Sequence, residues 1–328
     1  MRGLRRRTAL LVAIGTALGA QVLGAVPSAA AGNCVRWTPT TGVFYDVTVC
    51  IDIPTPGSTI SGRTEITATV TFNAPTTVVL DRMVFFRGAS TAATAYLLAD
   101  HDAPYRMVLD TTRYPNGTTT FTARPVFVGG AVPQPVNTQV TIDNPAPPPP
   151  DDETFTPRVG GPQEPGERFR LAAVGDGVDG SPESHGVVDV IAAAHPDAFA
   201  YLGDVYDRGT PTEFDTWYDD PDGYGQFADI TNPTVGNHEY MQSDTAAPYF
   251  AFWHHIPHSY SYDVDGWHVV VLDSTVEFAQ LGVNSAQYRW LVSDLDAHPS
   301  TCTMMYAHHP RWSAVDGVSR TGFQPMWE

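Results

Sequence analysis

Four short polar motifs in the second half of the chain carry residue types that can bind metal ions and phosphate. Each motif directly follows an apolar run that is typical of a β-strand. The motifs are Gly175-Asp176-Gly177, Gly203-Asp204, Gly236-Asn237-His238-Glu239 and His308-His309-Pro310. Ligands collect at the carboxyl ends of the strands in open α/β sheets, so all four motifs are expected to meet at one edge. A glycine before an Asp or Asn allows a tight turn there.

This mixture of carboxylate, amide and imidazole groups suits the hydrolysis of a phosphate ester. Two metal ions about 3.5–4 Å apart can share a bridging hydroxide that attacks phosphorus, and they can offset the charge of the phosphoryl group. A mixed oxygen and nitrogen ligand set favours Fe, Zn or Mn, whereas an all-oxygen set would favour Mg or Ca. We therefore expect two divalent or trivalent metal ions as cofactors and a small phosphorylated molecule as the substrate.

The elements that position these motifs alternate between strands and helices from residue 168 onward. Apolar runs predict strands at 169–174, 198–202, 231–235, 260–264, 267–272 and 303–307. Helices are predicted at 184–194 and 285–297, the second with Tyr288, Leu291, Val292 and Leu295 on one apolar face. This alternation indicates a layered α/β domain.

In these motifs, residues 168–328 resemble the calcineurin-like metallophosphoesterase superfamily, close to its exported bacterial and purple-acid-phosphatase-like branches. The resemblance implies a β-sandwich flanked by helices. It implies that Asp176 binds the first metal, Asp204 bridges both metals, and Asn237 and His308 bind the second. His238 would contact the phosphate and act as general acid for the leaving oxygen. His308 is favoured over His309 because the family ligand is followed by one residue and then proline.

Three departures from the family pattern bear on the site. Val178 replaces the histidine of the first motif, as in purple acid phosphatases, which use a tyrosine ligand three residues after the bridging Asp. Asp207 holds that position here, so Tyr206 is either a metal ligand through a shifted loop or a packing aromatic. The final GHxH motif, which supplies one histidine to each metal, is absent, and the simplest interpretation is a C-terminally incomplete domain. His254, His255 and His258 are predicted to lie in a surface loop or a loop at the rim of the site, and His185 either lines the mouth of the site or, as we favour, starts a helix.

Residues 32–144 are predicted to form an all-β sandwich. Short alternating runs are separated by turn signals, and the segment around 102–118 resembles bacterial immunoglobulin-like (Ig-like) modules. Cys34 and Cys50 are expected to form a disulfide, whereas Cys302 is either a small buried residue or pairs outside this chain. A Pro-rich linker at 145–167 separates the sandwich from the α/β domain.

The first 31 residues resemble a secretory signal, with four early arginines, an apolar stretch and a small-residue cleavage site. We therefore expect a secreted protein with no membrane attachment after cleavage. The formal net charge is -18, and the chain contains arginine but no lysine, which argues against non-specific binding of nucleic acid. The sequence predicts nothing about the oligomeric state.

Two functions are compatible with the sequence. The first is metal-dependent hydrolysis of a phosphate mono- or diester by a metal-bridging hydroxide. The second is a non-catalytic secreted binding protein whose sandwich acts while its phosphoesterase domain is degenerate and incomplete. The absent GHxH motif motivates the second, and the metal content of the purified chain distinguishes the two.

Overall fold

The computed structural model describes residues 33–38, 47–72, 78–128, 133–145, 155–159, 168–275, 281–299, 302–314 and 321–327. The predicted signal segment and most of the predicted linker lie outside these residues. None of the helices in the described ranges is long and apolar enough to cross a membrane.

Nine strands of the N-terminal part form two sheets whose inner faces share one core. The strands are β1 (Asn33–Trp37), β2 (Val47–Ile53), β3 (Thr59–Ile60), β4 (Arg63–Phe72), β5 (Leu80–Arg87), β6 (Tyr96–Asp100), β7 (Tyr105–Asp110), β8 (Gly117–Phe127) and β9 (Val136–Ile142). One sheet has the order β1-β2-β4-β7 and the other the order β3-β9-β8-β5-β6. Alternation places Val49, Ile66, Phe85 and Phe121 in the core between them, fully shielded from solvent.

The predicted disulfide is present. Cys34 lies directly opposite Cys50 on the paired strands β1 and β2, and the two sulfur atoms are bonded. The alternating runs at 64–72, 78–86, 96–98, 118–127 and 136–142 predict strands near β4, β5, β6, β8 and β9, but β1, β2, β3 and β7 were not predicted as separate strands. β7 begins after a Pro-containing turn, and its Arg106 and Asp110 conceal the alternation of buried Met107 and Leu109.

The C-terminal part is mixed α/β, with short strands and few helices. Its strands are β10 (Leu171–Val174), β11 (Ala198–Tyr201), β12 (Tyr260–Val264), β13 (Trp267–Val271) and β14 (Thr303–Tyr306). Its helices are α1 (Pro182–Ala194), α2 (Pro211–Glu213), α3 (Ala247–Phe252), α4 (Ala286–Ala297) and α5 (Gln324–Trp327). β10 pairs in parallel with β11, β12 pairs antiparallel with β13, and β13 pairs in parallel with β14.

Local chemistry explains the boundaries of the predicted elements. Ser181 caps α1 by accepting a hydrogen bond from the backbone N–H of Ser184, and Pro182 occupies the first helical position. Asp265 and Gly266 both have positive φ, which suits the tight turn between β12 and β13. Ser285 caps α4 through the N–H of Tyr288.

Two details of the sequence prediction were wrong. Residues 231–235 do not form a strand, although the N–H groups of Asn232 and Thr234 donate to carbonyls of β11. Pro233 removes the N–H between them, and only an isolated bridge joins Thr231 to Phe199. The predicted apolar face of α4 is also only partly buried, because Leu291 is buried while Val292 and Leu295 are exposed.

The sandwich packs against the segment that follows β11. Asp215 is 4% exposed and accepts a hydrogen bond from the Arg113 guanidinium at 3.1 Å, while its carbonyl accepts one from Arg63 at 2.8 Å. Burial raises the pKa of Asp215 to about 6, and the charges of Arg113 and Arg63 oppose that shift. Thr210 adds a hydrogen bond from its hydroxyl to the carbonyl of Leu97 at 2.6 Å. Buried polar contacts therefore hold the two parts together.

A buried histidine joins β13 to α4. His268 is 1% exposed, and its ring nitrogens lie 2.8 Å from carboxylate oxygens of Asp263 and Asp294. The ring of His298 stacks on it, with centroids 4.5 Å apart. Burial lowers the pKa of His268, but the hydrogen bonds to Asp263 and Asp294 outweigh that effect and the net pKa is raised.

This arrangement predicts a pH-dependent stability. Because the pKa of His268 is higher in the folded state than the ordinary value of about 6.5, its contribution is complete below about pH 6.5 and is lost as the pH rises through the folded-state pKa. We expect the difference in unfolding free energy between the wild type and His268→Gln to shrink as the pH rises from 6 to 9. Urea unfolding at each pH measures it, with His101→Gln as control. A difference that grows with pH would contradict the charged form of His268.

Candidate metal centre

Two turns with left-handed backbone place the predicted ligands Asp176 and Asp204 side by side. Asp176 follows β10 with φ 57°, and Asp204 follows β11 with φ 68°. The backbone N–H of Asp176 donates to the carbonyl of Gly203 at 3.0 Å, which ties the two strand ends together. Aspartate is one of the few non-glycine residues that adopt this conformation readily, so both turns suit their residue.

Glu239 fixes the backbone around Asp204. This fully buried carboxylate accepts hydrogen bonds from the N–H groups of Asp204 at 3.1 Å, Val205 at 2.7 Å and Gly236 at 2.7 Å. Burial and the charge of Asp204 raise the pKa of Glu239 to about 8, although the three hydrogen bonds oppose the shift. The sequence alone assigns no role to Glu239, because the three donors come from two separate segments.

Asp204 is the shared centre of the predicted ligand set. Its side chain is 2% exposed, and its Oδ2 lies 3.4 Å from Nε2 of His308 and 3.8 Å from Nε2 of His238. The same Nε2 of His308 lies 3.2 Å from Oδ1 of Asn237. Asp176, Asp204 and His308 each offer a ligand atom within 4.8 Å of the others. The structure therefore brings together the four residues predicted to bind metal from the strand-end motifs.

Backbone carbonyls orient both imidazole rings toward this centre. Nδ1 of His308 lies 2.7 Å from the carbonyl of Leu202, and Nδ1 of His238 lies 2.6 Å from the carbonyl of Asp207. A carbonyl only accepts, so we assign the proton of each neutral ring to Nδ1, which leaves Nε2 with a free lone pair. Metal-binding histidines in proteins are oriented in this way by their second nitrogen.

Tyr206 lies in the site rather than in the core. Its hydroxyl donates to Oδ1 of Asp176 at 2.6 Å, and its ring packs edge-on against His238 with centroids 4.3 Å apart. Burial and the hydrogen bond to Asp176 raise the pKa of Tyr206. The hydroxyl is therefore beside a predicted ligand, and its role as a metal ligand stays a prediction.

His309 follows His308 in the bend after the end of β14. Its Nδ1 lies 3.2 Å from the hydroxyl of Ser274. His258 lies 2.9 Å from Oδ2 of Asp273, to which the hydroxyl of Tyr240 also donates at 2.8 Å. His185 lies in α1 and faces Asp220 at 3.9 Å. These contacts show packing partners for all three histidines.

The donor set fits a metal ion. The pKa of Asp204 is raised, mainly by burial and also by the charge of Asp176. The charges of His308 and His238 and the hydrogen bond from the backbone N–H of His238 oppose this shift. Two neighbouring carboxylates in such a place gain from a cation between them. The described part of the chain contains a second group of side chains that could hold a metal ion. It consists of His268, Asp294 and His298, and it lies where β13 contacts α4.

Comparisons with known proteins match portions of the chain. The bacterial Ig domain family matches residues 48–123. A curated protein of Rhodococcus erythropolis named a probable cyclic nucleotide phosphodiesterase is 29% identical over 149 residues, which is 41% of this chain and 46% of that protein. This chain thus matches about half the length of that relative.

Two solved structures align with less than a third of the chain. Fibronectin(III)-like modules of Clostridium thermocellum CbhA align with 16% identity over 29% of this chain and 97% of theirs, with a TM-score of 0.23. An endo-beta-1,4-mannanase from Thermotoga petrophila aligns with 19% identity over 30% of this chain and 20% of its own, also with a TM-score of 0.23.

Proposed function

We propose that this chain is an exported, metal-dependent phosphoesterase that hydrolyses a small phosphate mono- or diester. The observation that carries the proposal is the buried Asp204 carboxylate, which faces Nε2 of both His308 and His238 at 3.4 and 3.8 Å. The name of the Rhodococcus relative favours a diester. The match to the bacterial Ig domain family is consistent with export, since such domains are common in extracellular proteins.

The candidate ligands lie in two groups, one on each side of Asp204. Asp176, with Tyr206 bound to it, would hold one metal ion, and Asn237 with His308 would hold the other. Bound Fe, Zn or Mn would supply positive charge for the phosphoryl group and would lower the pKa of a water molecule. Asp204 contributes the shared negative charge between the two positions.

His238 is suited to move a proton. Its Nδ1 is held by the carbonyl of Asp207, and its backbone N–H donates to Oδ1 of Asp204 at 2.8 Å. When the ring is protonated, Nε2 carries the second proton and is the atom that would donate to the leaving oxygen. We propose His238 as the general acid.

Metal removal tests the proposal. The purified chain is assayed for metal content and for hydrolysis of bis(p-nitrophenyl) phosphate, before and after treatment with a chelator. We expect bound metal, a loss of hydrolysis of at least about 100-fold on stripping, and recovery with Mn, Zn or Fe rather than Ca. Hydrolysis that survives complete stripping would contradict the proposal. A purified chain that binds no metal tightly and hydrolyses nothing would favour the non-catalytic binding protein.

A further inference from the structure

The outer face of the second sandwich sheet is covered rather than exposed. Four consecutive residues of β5, from Met83 to Phe86, are all buried. Alternation turns Met83 and Phe85 into the sandwich core, so Val84 and Phe86 face the other way. Arg124 of β8 lies opposite Val84 on this outer face. A charged arginine on a covered strand face loses hydration, so a partner for its guanidinium group is expected.

A cavity of about 440 Å³ lies between this face and the candidate metal centre. We call it the arginine cavity, and its defining residues are Arg82, Phe86, Tyr96, Arg124, Arg208 and His238. The first four belong to the sandwich, whereas Arg208 and His238 belong to the loops around Asp204. His238 therefore faces both the proposed metal centre and the arginine cavity.

The charge of the arginine cavity opposes that of the whole protein. Three arginines line it, and Asp207 is the one acidic residue among the described lining residues, in a chain of net charge -18. Arg82 pairs with Asp81 outside the cavity. The other two guanidinium groups are held by aromatic rings: Arg124 lies 4.9 Å from the centroid of Phe86, and Arg208 lies 4.7 Å from that of Tyr96. Aromatic rings fix an arginine without neutralising it.

Arg124 also carries an unsatisfied donor. Its Nε is buried and has no hydrogen-bond partner among the described residues. A buried N–H without an acceptor is costly, so an acceptor that enters from the cavity would gain both a hydrogen bond and charge complementarity. Phosphate has the charge and the oxygen geometry that guanidinium groups bind.

We propose that the arginine cavity binds a second phosphate group of the substrate, on the side of His238 where the leaving group departs. The proposal rests on the proposed phosphoesterase function and narrows the substrate class to molecules with two phosphate groups. The Ig-like sandwich is then part of the substrate-binding site, with Arg124 as a specificity residue and Phe86 and Tyr96 as positioning residues for the two guanidinium groups.

Phosphate binding to metal-stripped protein tests this cavity without any catalysis. Isothermal titration with inorganic phosphate in the presence of a chelator is expected to give one site in the wild type. Arg124→Gln and Arg208→Gln each remove one charged donor and are expected to weaken binding about 10-fold. Arg289 is an exposed residue of α4, so Arg289→Gln is the matched control and should bind phosphate as tightly as the wild type does. Circular dichroism verifies that each variant is folded.

The same titration separates this proposal from the phosphoesterase proposal. Asp204→Asn, which alters the metal centre, is expected to bind phosphate at least as tightly as the wild type. In metal-loaded protein, the preference for adenosine 3′,5′-bisphosphate over adenosine 5′-monophosphate, measured as the ratio of kcat/KM values, should fall about 10-fold in Arg124→Gln. The proposal would be overturned if the wild type does not bind phosphate, or if Arg124→Gln and Arg208→Gln bind it as tightly as the wild type does. Either result would overturn it even if the chain hydrolyses phosphate esters.

Discussion

Replacing Asp204 by Asn is expected to lower phosphoesterase activity roughly 1000-fold and to remove bound metal. That factor corresponds to about 4 kcal/mol of transition-state stabilisation, within the range that metal ions supply. The substitution keeps the shape of the side chain, and Asn tolerates the left-handed backbone at φ 68°. Its oxygen can still accept the N–H of His238, but its amide N–H group would face Nε2 of His308 in place of a carboxylate oxygen. The measurement is kcat/KM together with metal content.

Asp189→Asn is the matched control for Asp204→Asn. Asp189 lies on the exposed side of α1, so the same loss of one negative charge occurs away from the site. We expect full metal content and activity in this control. If Asp204→Asn retained metal and activity at the level of Asp189→Asn, the centre described around Asp204 would not be the active site.

Gly236→Ala is expected to destabilise the protein by about 3 kcal/mol and to abolish metal binding. A Cβ on Gly236 would overlap Oδ1 of Asp204 and lie 2.5 Å from its backbone nitrogen. The backbone of Asp204 cannot move away without breaking its hydrogen bond to Glu239, which also accepts the backbone N–H of Gly236. Overpacking costs of this size are typical where nothing flexible can yield. Urea unfolding of metal-stripped protein measures the stability, and metal analysis measures the site.

Gly186→Ala provides the opposite expectation for the same chemical change. Gly186 lies inside α1, and a Cβ there would meet nothing within 4 Å. Alanine is a better helix former than glycine by about 1 kcal/mol, so this variant should be slightly more stable than the wild type. Equal effects of the two substitutions would show that the close approach of Gly236 to Asp204 is unimportant.

The sequence predicted the parts of the site that depend on local chemistry. A short apolar run followed by Gly-Asp places a carboxylate at a strand end, and this was enough to locate Asp176 and Asp204. The hairpin between β12 and β13 is equally local. These features need only the residues next to them, which is why a single sequence shows them.

The supporting contacts could not be predicted, because they join residues far apart in the chain. Glu239 gathers N–H groups from residues 204, 205 and 236. Glu213 is fully buried and accepts a hydrogen bond from Tyr96 of the sandwich at 2.9 Å, as well as N–H groups from the loop that carries Asp207. Nothing in the pattern around Arg124 distinguishes it from a solvated strand residue, so the arginine cavity has no signal in the sequence.

The contacts of Asp215 with Arg63 and Arg113 limit which Ig-like domains could replace this sandwich during evolution. Removal of the sandwich would leave the buried Asp215 carboxylate without the guanidinium groups of Arg63 and Arg113. It would also remove the carbonyl of Leu97 that accepts the hydroxyl of Thr210. Another Ig-like module could replace this one only if it brought matching arginines at the same places on its sheet. The sandwich is therefore not an interchangeable spacer, and its surface strands are expected to evolve together with the loop that follows β11.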